Sequence, residues 1–100
     1  MNADKNTKRV QLKIKAPDEV LKGIYANSMI VTHTREEFIL DFLTVFPPQG
    51  ILNARIIIGP GHLKRIIKAL QDNLAKYETR FGQVQPAPSP EDSGGAKFEA

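Results

Sequence analysis

The chain of 100 residues has no cysteine, no tryptophan and only two histidines, His33 and His62. Without cysteine there is no disulfide staple and no thiolate metal site. Two histidines without carboxylates at matching spacing do not make a ligand cluster, so neither a metal nor a cofactor is expected. The sequence also lacks a phosphate loop, a dinucleotide glycine pattern and a nucleophile–base pair, and no catalytic residue is assigned. No apolar run approaches the ~20 residues that cross a bilayer. The opening residues, MNADKNTKR, contain no apolar core of a secretory signal. The expectation is a non-enzymatic, cytoplasmic protein with no membrane partner.

What the chain does have is charge, unevenly placed. Residues 1–81 carry 13 of the 14 Lys and Arg against 8 of the 11 Asp and Glu, a net +5, and residues 82–100 carry −2. A basic folded part is compatible with an anionic partner, although many proteins that bind no nucleic acid carry as much. The small size matters more. A domain of this length buries only a modest share of its surface, and oligomerisation is the remaining source of extra burial.

Residues 60–81 read as one long helix. Leu63, Ile67, Leu70, Leu74, Tyr77 and Phe81 recur at steps of four and three, an a/d seam. Pro60 suits the first turn, where a missing N–H costs nothing, and Gly82 suits the position after the last turn. A seam of this kind meets a sheet, another helix or a second copy of the chain.

Ahead of it lie four extended segments. From Lys8 to Lys15, Val10, Leu12 and Ile14 alternate with Arg9, Gln11, Lys13 and Lys15, the pattern of a half-buried strand with a basic outer face. Ala16-Pro17-Asp18 breaks it, and residues 18–22 form a helical turn or short loop. Residues 24–33 read as a second strand. The segment from Glu36 or Glu37 to Phe46 reads as a third, because its apolar residues leave no polar stripe at helical spacing. Thr34 and Arg35 then belong to a turn, although Thr34 to Glu37 also has the form of a helix capping box. Pro47-Pro48-Gln49-Gly50 is a second turn, and residues 51–58 are a fourth strand.

The expected fold is therefore α+β: a four-stranded antiparallel β-meander followed by one long C-terminal helix, β-β-β-β-α. Residues 1–7 are expected to be disordered, 8–82 to form a single domain, and 83–100 to be a disordered tail rich in Pro, Ser, Gly and acid. Strands two to four are apolar on both faces, and one helix covers only one face. A homodimer resolves this, with the helix closing over the sheet and sharing part of its seam; alternatively the first strand or a loop folds over the open face.

Three sets of residues stand out. Asp41 interrupts FILDFLTVF and Arg55 interrupts the next strand. A hairpin through residues 47–50 brings them nearly opposite, as a structural ion pair. A general-base role for Asp41 lacks a second titratable group. Arg9, Lys13 and Lys15 with Lys64, Arg65 and Lys68 could track a phosphate backbone, with aromatics such as Tyr25 and Phe42 stacking on bases. Their plainer reading is a solvated face, with Asp72 paired to Lys68 and Lys76, and aromatics in the core.

GIYANSMIVTHTREEFILDF followed by ARIIIGPGHLKRIIKALQDNLAKYETRFG resembles a family of short bacterial proteins, domain of unknown function 3467. The resemblance covers residues 10–84. It rests on Tyr25, Asn27, Glu37-Phe38, Leu40-Asp41-Phe42, Arg55-Ile56-Ile57, Pro60, His62, Lys64-Arg65, Tyr77-Glu78 and Phe81-Gly82, and it implies no activity. In element order alone the chain is similar to single-strand nucleic-acid binders of the positive-cofactor-four and PUR-alpha type. The functional expectation is a homodimer that binds single-stranded nucleic acid non-specifically. The alternative is a protein-interaction module or assembly subunit with a protein partner.

Overall fold

The computed structural model describes residues 10–90. The expectations for residues 1–7, for Arg9 and for the last ten residues of the tail lie outside the described residues. In chain order the elements are α1 (Asp18–Leu21), β1 (Ser28–His33), β2 (Phe38–Phe46), β3 (Gln49–Ile58) and α2 (Pro60–Phe81). The strands form one antiparallel sheet in the order β1-β2-β3. The architecture is α+β, a three-stranded meander followed by a helix.

The difference from four strands lies at residues 10–17. Val10, Leu12 and Ile14 do alternate, but the segment pairs with no strand and the three side chains are exposed. Alternation specifies which side chains share a face; it does not supply a partner edge for the backbone. The segment is an arm, ended by Pro17 and the single turn of α1.

The hairpins follow from local chemistry. Thr34 closes the β1–β2 loop: its Oγ1 accepts from the N–H groups of Glu36 and Glu37, both at 3.2 Å. Its own N–H donates to Glu37 O at 2.9 Å. The threonine oxygen thus serves a turn and not a helix cap. β2 and β3 meet at Pro47-Pro48, whose peptide bond is cis. β2, apolar on both faces, takes the central place in the sheet, and the only buried hydrophobic side chains among the described residues are its Leu40 and Leu43.

The helix has the limits its sequence sets. Pro60 opens it without an N–H to satisfy, and Leu63 N–H donates to Gly59 O at 3.1 Å. Gly82 ends it with φ of 95°, a conformation that costs glycine least, and donates to Glu78 O at 2.9 Å. α2 does not close over the sheet, however. No residue of it is buried, and among its apolar residues only Leu63 and Ile66, in the first turns, reach half-burial. The radius of gyration is 18.1 Å, against about 13 Å for a compact chain of a hundred residues.

Candidate association surface and basic cluster

The best-ordered polar chemistry is at the middle of the sheet. Asp41 faces Ile30 on one side and Arg55 on the other, in direct register. Arg55 donates from Nε to Asp41 Oδ1 at 2.7 Å and from its terminal nitrogen to Oδ2 at 2.9 Å, a two-pronged pair. The carboxylate is 1% exposed, while the Arg55 side chain remains half-exposed. Arg55's hydrogen bonds hold the Asp41 carboxyl below its usual range, against the opposing effect of burial. The same contact raises Arg55 above its already high value. Both carboxylate oxygens are thus occupied by one fixed partner, which is the arrangement of a structural pair.

A second polar cluster lies at the open end of the sheet. Asn27 N–H donates to Leu43 O at 3.0 Å, its side-chain amide donates to Val45 O at 3.0 Å, and its side-chain oxygen accepts from Val45 N–H at 2.8 Å. The side chain presents a donor and an acceptor as a peptide unit would, and so adds two rungs beside β2. The pairing of β2 with β3 shifts after Phe42–Ala54, because Leu43 faces Leu52. Asn53 is therefore the extra residue of a bulge. Its amide donates to Tyr25 O at 2.8 Å and to Thr44 Oγ1 at 2.6 Å, and Thr44 Oγ1 donates to Tyr25 O at 2.6 Å. Asn27, Thr44 and Asn53 together fasten the irregular segment that precedes β1 onto the hairpin. Sequence reasoning did not find this cluster. The available signal was asparagine, poorly suited to strands, placed inside an isoleucine-rich run and one residue before another strand.

The seam on α2 faces solvent. Ile67, Leu70, Leu74, Tyr77 and Phe81 are each 46–66% exposed. Tyr77 and Phe81 stack with centroids 4.9 Å apart, and Arg80 lies over the Phe81 ring at 5.3 Å. On the sheet Met29, Val31, Ile56 and Ile57 are also exposed.

The basic residues fall in two places. Lys13 and Lys15 are exposed on the arm; Lys64, Arg65 and Lys68 are exposed on the first turns of α2, where with Ile67 and Gln71 they line a shallow cleft. Lys68 pairs with Asp72 at 3.3 Å, and Arg65 lies 2.9 Å from His62 Nδ1. Of the aromatic residues, Tyr25 and Phe46 are exposed and Phe38 and Phe42 half-buried. No group of three His, Cys, Asp or Glu suited to a metal ion occurs among the described residues, and no helix there is long and apolar enough to cross a membrane.

The fold thus defines a class, a small α+β chain with a three-stranded antiparallel sheet and a protruding C-terminal helix. Within it, the chain belongs to the family described as protein of unknown function (DUF3467), whose model matches residues 1–86. No curated protein and no solved structure matches the chain.

Proposed function

We propose that this protein is a binding subunit, without catalysis of its own, that works as a homodimer and presents its sheet and helix to assemble with itself. The observation that carries this is the exposed α2 seam beside a core of two buried leucines. A buried leucine contributes about 1.5–3 kcal/mol, whereas fixing each residue's backbone costs about 1–2 kcal/mol. Two leucines and three hydrogen-bonded strands do not hold a 22-residue helix in place. A second molecule supplies the missing burial, and a two-fold pairing uses the same patch on both copies. Size-exclusion chromatography with light scattering tests the reading on the full chain. A mass of twice 11.1 kDa is expected, and a stable monomer at micromolar concentration sinks it.

A second reading, binding of single-stranded nucleic acid, is favoured by Lys64, Arg65 and Lys68 around one cleft on α2. Placement of the other cations on a separate arm makes it the weaker reading. Fluorescence anisotropy with a labelled oligonucleotide distinguishes the two. Binding that weakens with a log–log salt slope of about −0.7 per phosphate contact supports the second, and no binding in low salt removes it.

A further inference from the structure

We infer that the dimer is built on an antiparallel pair of α2 helices, with the two-fold axis passing beside Asp72. This rests on the homodimer reading and specifies its interface. The seam itself supplies the register. In an antiparallel pair centred on residue 72, Leu63 meets the partner's Phe81, Ile67 meets the partner's Tyr77, and Leu70 meets the partner's Leu74. All six seam residues find a partner, small against large at the ends and leucine against leucine at the centre. A parallel pair would instead set Phe81 on Phe81 and Tyr77 on Tyr77 at one end, and leave the other end to Leu63 and Ile67.

Charge selects the same arrangement. The positions flanking the seam are Lys64, Ile66, Gln71, Asn73, Glu78 and Arg80. Antiparallel pairing puts Lys64 beside the partner's Glu78, twice by symmetry, with Gln71 and Asn73 each facing its own copy across the axis. The parallel arrangement brings no opposite charges together at these positions. Glu78 accepts the Val84 N–H through Oε2 at 2.9 Å, which leaves its other oxygen for the lysine. Ile66, half-buried, remains turned to its own chain.

The helix dipole adds an independent reason. Lys64, Arg65 and Lys68 occupy the first turns of α2, which contain no acidic residue, and cations are unfavourable at that positive end. Reversing the partner lays its negative C-terminal end beside those cations. The five exposed seam residues offer roughly 500–600 Å² of apolar surface, taking half-exposed side chains of about 200 Å² each. A standard interface needs about 800 Å² per partner, a difference that the flanking side chains and the exposed sheet residues can fill.

The absence of native cysteine allows a clean test on the full chain. L63C and F81C are prepared separately, mixed and oxidised. A disulfide between the two variants, with neither linking to itself, is the expected result. Self-linked F81C shows a parallel pair and overturns the inference. Absence of any cross-link in a protein that light scattering shows to be a dimer also overturns it, while leaving the homodimer reading intact. A monomer by light scattering ends both. A charge exchange checks the flank: E78K should weaken the dimer about tenfold, and K64E added to E78K should restore it. Failure of that restoration counts against the register.

Discussion

The sheet and the helix spend their side chains in opposite ways. Around β2 nearly every polar group has a defined partner: Asp41 has Arg55, Asn27 has Val45, and Asn53 has Thr44 and Tyr25. On α2 the side-chain contacts are few and local, and the apolar seam points outward. Hydrogen bonding therefore specifies the sheet, while the apolar seam of α2 stays exposed; in the proposed homodimer a second chain completes its burial, the larger stabilising effect in folding. On that proposal folding is coupled to association, because the element with most to bury has little of its own chain to bury against.

The comparison breaks most visibly at the seam. Replacing Leu70 and Leu74 together by Glu would place four charges at the centre of the proposed helix pair. Losing four leucines that the proposed interface buries, at about 1.5 kcal/mol or more each, should weaken association by over 1,000-fold, read by sedimentation at graded concentrations. If the mass is unchanged, the helix is not the interface.

Within the sheet the largest effect belongs to Leu43. Leu43→Ala should lower unfolding free energy by about 2–4 kcal/mol in urea titrations followed by circular dichroism. A loss under 1 kcal/mol would mean that β2 is not the core. Asn27→Ala should cost about 1–2 kcal/mol, since it leaves the Val45 N–H and C=O without their partner. Near-zero cost would show that the side-chain rungs add nothing to the sheet.

Acid separates the two regions further. The folded Asp41 carboxyl is held below its unfolded value by the Arg55 hydrogen bonds. Its stabilising contribution is fully present above that value and is lost as pH falls through the lower folded one. Thermal melts between pH 6 and 2 should show this decline, and Asp41→Asn should flatten it; an unchanged slope would exclude the pair as its source. The smallest effect is expected on the helix surface. Lys68→Ala removes an exposed pair with Asp72 and should change stability by no more than about 0.5 kcal/mol.

The elements whose signals are local were legible from residues alone. Pro60 and Gly82 bound the helix as expected, the hairpin turns at Pro47-Pro48 (with Gln49 and Gly50, expected in the turn, already paired in β3), and Asp41 lies directly opposite Arg55. The misreadings concern long-range facts. Val10, Leu12 and Ile14 have a strand's pattern, but whether an edge receives them depends on the path of the chain through Tyr25 and α1. The helix was expected to close over the sheet with part of its seam shared across a dimer; it does not close over the sheet, because periodicity gives the direction of a face and not what stands opposite it. The bulge at Asn53 was invisible for a related reason: it is fixed by contacts to residues 25 and 44, far away in sequence.

The pair at the centre of the sheet also acts as an alignment key. β2 carries apolar residues on both faces, so sliding it by one position against β3 would exchange one greasy surface for another at little cost in burial. Asp41 removes that ambiguity. A slip of one residue either way sets its carboxylate opposite Ala54 or Ile56, with the guanidinium on the wrong face and a buried charge left without compensation. A single ion pair thereby distinguishes the correct strand alignment from its nearest competitors, in a strand whose hydrophobic pattern alone would accept either.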